Sequence, residues 1–85
     1  MGKKIKSVAI YTNNGTPFYE VGQFLTKPDP TAEEPNKRTE TDIRVTNIKA
    51  SLRKKRTEIF FENETTGIKE STVFQDFPLS IGYTR

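Results

Sequence analysis

The apolar residues of this chain come in runs of only a few positions, each cut short by glycine, proline, asparagine or charge. Runs that short rule out a helical membrane span and the apolar core of a signal peptide. Where they show a period, it is the two-residue alternation of a strand with unlike faces. The sequence is therefore read as a series of strands separated by turns.

Lys3–Thr12 (KKIKSVAIYT) is rich in β-branched residues. Ile5, Ala9 and Tyr11 share one parity, while Val8 and Ile10 share the other, as in a strand covered in part on both sides. Asn13-Asn14-Gly15-Thr16 follows, and Asn-Gly predicts a type I′ hairpin turn with positive φ at both central residues. Pro17 belongs at the start of the next strand, Phe18–Thr26, because it cannot donate a ladder hydrogen bond. Gly22 within that strand predicts a bulge or the sharp bend of a barrel corner.

Lys27–Thr41 (KPDPTAEEPNKRTET) has three prolines and no large apolar residue. It is expected to be a long mobile loop, either a tolerated surface insertion or a binding arm. Asp42–Leu52 reads as a strand with Ile43 and Val45 on one face and Ile48, Ala50 and Leu52 on the other. A bulge near Thr46–Asn47 must then switch the phase. The alternative is a helix over Ile48–Arg56 capped by Asn47, with Ile48 and Leu52 one turn apart. The β-branched first half favours the strand, which leaves Arg53–Arg56 as a turn.

Thr57–Asn63 (TEIFFEN) is a strand with Ile59 and Phe61 inward, and Asn63–Gly67 is a turn. Asn63-Glu64-Thr65 matches a glycosylation sequon, which carries no weight without a secretory signal. Ile68–Phe74 is a further strand. Asp76-Phe77-Pro78 ends it, and Leu79–Thr84 is a last edge strand with Ile81 and Tyr83 on one face. These pieces predict a single all-β domain over residues 1–85. The expected form is a small antiparallel barrel or curled sheet of about five strands, like an oligonucleotide-binding fold by analogy alone.

The chemistry open to such a chain is narrow. It has no cysteine and no histidine. Disulfides, thiolate zinc sites, cysteine nucleophiles, imidazole ligands and the usual neutral-pH general base are thereby removed. No P-loop, GxGxxG or GxSxG motif is present. Glu58, Glu62 and Glu64 share a parity and suggest a weak calcium or magnesium site, but acids on a solvent face are ordinary. The myristoylation pattern fails because Lys6 stands where Ser or Thr is required. A non-catalytic, intracellular (cytoplasmic) protein without cofactor or metal is expected. At 32% hydrophobic residues, below the usual ~45–50%, the chain has a small apolar supply. That points to self-association or a partner, with a homodimer through an edge strand near either terminus as one expected form.

Charge is segmented rather than evenly spread. Residues 43–56 carry six cations and no acid, against a net charge of +3 for the whole chain. The six are Arg44, Lys49, Arg53, Lys54, Lys55 and Arg56, and Phe60 and Phe61 follow closely. Such a group suits a phosphate backbone, where it would release condensed counterions. Tyr11, Tyr19, Phe60 and Tyr83 are the candidate stacking platforms for unpaired bases. By simple alternation Lys49 opposes Arg44, and it joins the basic ridge only if the bulge rotates the strand.

Two considerations weigh against this reading. A four-residue basic run also serves as a solvated hairpin tip that discourages edge pairing. Glu58 and Glu62 flank Phe60 and would repel phosphate. The leading expectation is contact with nucleic acid, single-stranded or backbone-type, through residues 44–56. The alternative is a protein-interaction module or small inhibitor that binds a protein partner through exposed aromatics and charged loops.

Overall fold

The structure is a computed structural model that describes residues 4–28, 31, 33 and 37–84. The fold is all-β: a curled four-stranded half-barrel sheet joined to a three-stranded sheet. Its strands are β1 (Ile5–Ile10), β2 (Phe18–Glu20), β3 (Phe24–Pro28), β4 (Arg38–Ser51), β5 (Arg56–Asn63), β6 (Lys69–Gln75) and β7 (Leu79–Tyr83). The two sheets have the orders β2-β1-β7 and β3-β4-β5-β6, and every pairing is antiparallel. Among the described residues no helix is long and apolar enough to cross a membrane.

The strand count exceeds about five partly because one expected strand is divided. Phe18–Thr26 breaks at Val21–Gly22 into β2 and β3. Gly22 has φ of 94°, a left-handed conformation that glycine adopts without a Cβ penalty. The backbone changes partner at this corner. Val21 N–H donates to the Lys6 carbonyl of β1, and Gly22 N–H donates to the Val45 carbonyl of β4, each at 2.8 Å. One bent segment thus stitches the two sheets together.

The core sits between them. Val8 and Ile10 from β1 and Leu79 from β7 meet Val45 and Ile48 from β4 and Ile59 from β5. Full burial of such a side chain is worth about 1.5–3 kcal/mol, so this small set supplies much of the cohesion. Ile5 joins the same core through a register shift between Ile5 and Ser7. Phe61, Phe74, Phe77 and Ile81 pack around the edge. Ile59 and Phe61 therefore point inward, as their parity implies.

Three expectations need correction. The Asn13-Asn14-Gly15 hairpin forms, but its turn closes as Thr12↔Gly15 with Asn13 and Asn14 at the corners. Neither asparagine has positive φ, so the turn is not type I′. The Thr12 hydroxyl stabilises it instead, donating to the Gly15 carbonyl at 2.8 Å and accepting from Asn14 N–H at 3.2 Å. Second, the Lys27–Thr41 segment is shorter as a loop than its composition implies. Lys27 and Pro28 belong to β3, and Arg38–Thr41 belong to β4. The Arg38 guanidinium clamps Thr26, donating to its hydroxyl at 2.8 Å and its carbonyl at 2.9 Å. Residues 29, 30, 32 and 34–36 of the expected loop lie outside the described residues. Third, Leu52 does not face the core. It starts the β4–β5 turn and is exposed.

Candidate functional site

The basic stretch is built on the β4–β5 hairpin, not on a helix. β4 runs to Ser51, residues 52–55 turn, and β5 begins at Arg56. The expected phase switch is present: Val45 pairs with Phe61 and Asn47 with Phe60, leaving Thr46 as the extra residue. The Thr46 hydroxyl donates to the Phe60 carbonyl at 3.3 Å, and the Asn47 side chain accepts the Ile48 N–H at 2.9 Å. Polar side chains thus occupy backbone groups where the regular ladder is interrupted. The consequence is chemical. Val45 and Ile48 are both buried, so their neighbours Arg44 and Lys49 both face outward. The bulge rotates Lys49 onto the side that holds Arg44.

The six cations nevertheless fall into two groups. On the flank, Arg44 Nε lies 2.6 Å from Glu64 Oε1, and Arg56 lies 3.7 Å from Glu58. Lys49 pairs across the strands with Glu58, and its ammonium sits 5.4 Å from the Phe60 ring centroid. At the tip, Arg53, Lys54 and Lys55 pair with no carboxylate of the described residues. Their turn is held firmly. Lys55 adopts φ of 52°, and its carbonyl accepts the Asp76 N–H at 2.8 Å and the Phe77 N–H at 3.3 Å. The Ser51 hydroxyl accepts the Lys54 N–H at 3.2 Å.

A second feature lies where the ends of β1 and β7 approach the bulge. An open cleft of about 1530 Å³ is lined by Lys4, Lys6, Lys49 and Lys69 together with Phe60 and Tyr83, among others. Lys4 is fixed beside Tyr83 because its carbonyl accepts the Thr84 N–H at 2.8 Å. Two acids, Glu62 and Glu70, also line it. Glu62 stands opposite Arg44 on one side and Lys69 on the other. The acids that flank Phe60 in sequence are therefore each matched by cations in space, which removes much of the repulsion expected of them.

Of the candidate aromatics, Phe60 and Tyr83 line the cleft and Tyr11 and Tyr19 do not. Tyr19 packs against Phe61 and Phe74 with centroids 6.2 and 6.1 Å apart. Burial pushes its phenol above the ordinary value by disfavouring the charged form. Tyr11 bonds Ser80 through their hydroxyls at 3.0 Å on the other side of β1. Lys4, Lys6 and Lys69 were not among the sequence candidates. The N-terminal charge excess is visible in the sequence, but nothing there says that it meets the start of β6. Among the described residues no His, Cys, Asp or Glu cluster could hold a metal ion. No family model, curated protein or solved structure matches the chain.

Proposed function

We propose that this protein is a non-catalytic nucleic-acid-binding protein whose basic hairpin meets the phosphate backbone. One observation carries the reading: Arg53, Lys54 and Lys55 pair with no carboxylate of the described residues, yet their turn is pinned through the Lys55 carbonyl. Cations held in place without counter-charge suit an evenly spaced external anion, and binding there releases condensed ions. The lack of histidine and cysteine supports a binding role over a catalytic one.

The test compares wild type with Arg53/Lys54/Lys55→Ala on heparin and on an oligonucleotide across a salt series. With three phosphate contacts at about 0.7 each for a single strand, the slope of log affinity against log salt should flatten by roughly 2. Stability should stay within about 0.5 kcal/mol, since these are solvated positions. Equal elution of the two proteins at moderate salt would overturn the reading. The second reading, a protein partner, would then lead. It has its own support, because Tyr11 and Phe18 are both about half exposed on the three-stranded sheet.

A further inference from the structure

We infer that the cleft bounded by Lys4, Lys6, Lys49 and Lys69 seats unpaired nucleobases on Phe60 and Tyr83, so that the ligand is single-stranded rather than duplex. This rests on the nucleic-acid reading and names its substrate class.

The two rings differ from the other aromatics of the chain. Phe60 projects from the outer face of β5, where its neighbour Ile59 faces the core, and it is only partly buried. Tyr83 is half exposed at the end of β7 and lines the same cleft. Neither belongs to the hydrophobic core or packs against another ring. An aromatic held at the wall of an open cleft offers its face to a flat partner, and every base has such a face.

The charges match that occupant. Among the described residues four lysines and two glutamates line the cleft, an excess of cations that suits one segment of backbone. Lys6 is shared with Glu20 at 3.8 Å. Lys49 rests over the Phe60 ring in a cation–π contact. An entering base would displace this ammonium, which would remain at hand for the adjoining phosphate. The hairpin tip lies only roughly 10 Å further along the same ribbon by strand rise. One extended strand can therefore touch both features. In a duplex the base faces are already covered by their neighbours. Phe60 and Tyr83 would then gain nothing, and only backbone contacts would remain.

The experiment measures binding by fluorescence anisotropy to three probes of about twelve nucleotides. These are oligothymidylate, an abasic sugar-phosphate strand and a duplex, with polyglutamate as a fourth ligand. Wild type should prefer oligothymidylate over the abasic strand by about tenfold or more for each ring engaged. Phe60→Leu with Tyr83→Leu should abolish that preference and leave abasic binding unchanged. If circular dichroism shows that Phe60→Leu disturbs the sheet, Tyr83→Leu alone should remove about half of the preference on a logarithmic scale.

Equal affinity for all three nucleic-acid probes would overturn the cleft inference and leave the basic hairpin as a backbone contact. A preference that survives both substitutions would overturn it in the same way. No binding to any nucleic-acid probe would sink both proposals. Polyglutamate binding as tight as oligothymidylate, lost in the same variant, would assign the cleft to an acidic peptide instead.

Discussion

The two faces of the β4–β5 ribbon are built from opposite chemistry. The inner face presents Val45, Ile48 and Ile59, all buried, together with Thr57. The outer face presents Arg44, Lys49, Glu58, Phe60 and Glu62, with cations and acids opposite one another across the strands. Hydrocarbon removed from water stabilises the fold, whereas exposed ion pairs contribute about 0–1 kcal/mol each. Stability and surface chemistry are thus carried on separate sides of the same two strands. The bulge at Thr46 takes up one residue of β4 and so keeps Val45 and Ile48 on the same side.

Deleting Phe60, the residue opposite the bulge, attacks that separation most directly. Without it Ile59 and Phe61 are adjacent in β5, and one half of that strand must run out of phase, carrying either Glu58 or Glu62 inward and pulling Ile59 or Phe61 out. The expected loss exceeds about 3 kcal/mol, enough to remove a cooperative urea transition from a small domain. Urea denaturation followed by circular dichroism checks it. A transition within about 1 kcal/mol of the parent would mean that a bulge re-forms elsewhere, and the two faces would not depend on this residue.

The inner face contains one polar group out of place. The Thr57 hydroxyl is buried and has no hydrogen-bond partner among the described residues. Replacing it with a methyl group of similar shape, in Thr57→Val, should stabilise the protein by about 1 kcal/mol. The urea midpoint should rise with an unchanged slope. A lower midpoint would show that the hydroxyl finds a partner in solution and that the inner face is less purely apolar than its side chains suggest.

The smallest effect is expected outside. Arg44 is engaged by Glu64, so Arg44→Gln should change stability by no more than about 1 kcal/mol. Its effect on oligonucleotide affinity should fall well below that of a single tip substitution. If Arg44→Gln weakens binding as much as Arg53→Ala, the division between flank and tip would not hold.

Much of this fold was legible because its signals are local. Ile59 and Phe61 alternate within one strand, Gly22 marks a corner, and the parity conflict between Val45 and Ile48 demands a bulge between them. The features that were missed are not local. Asn13 and Asn14 look like a positive-φ turn, but a threonine hydroxyl supplies the stabilisation by another geometry. Leu52 has the helical and strand spacing of a core residue, yet the chain turns just there. The cleft was the hardest to foresee. Lys4, Lys49, Lys69 and Tyr83 are far apart in sequence, and the pairing of β1 with β7, of β4 with β5 and of β5 with β6 brings them together. The four-cation run was conspicuous, but sequence could not say that Arg56 meets Glu58 while its three predecessors meet no carboxylate of the described residues.

The Lys55 carbonyl, gripped by two amides from the β6–β7 connection, separates a charge from its address. The cations are written at residues 53–55, but where they point is decided by a link more than twenty positions downstream. A nick between β6 and β7 would leave every positive charge intact and set the tip swinging. The protein would keep its cations and lose their aim.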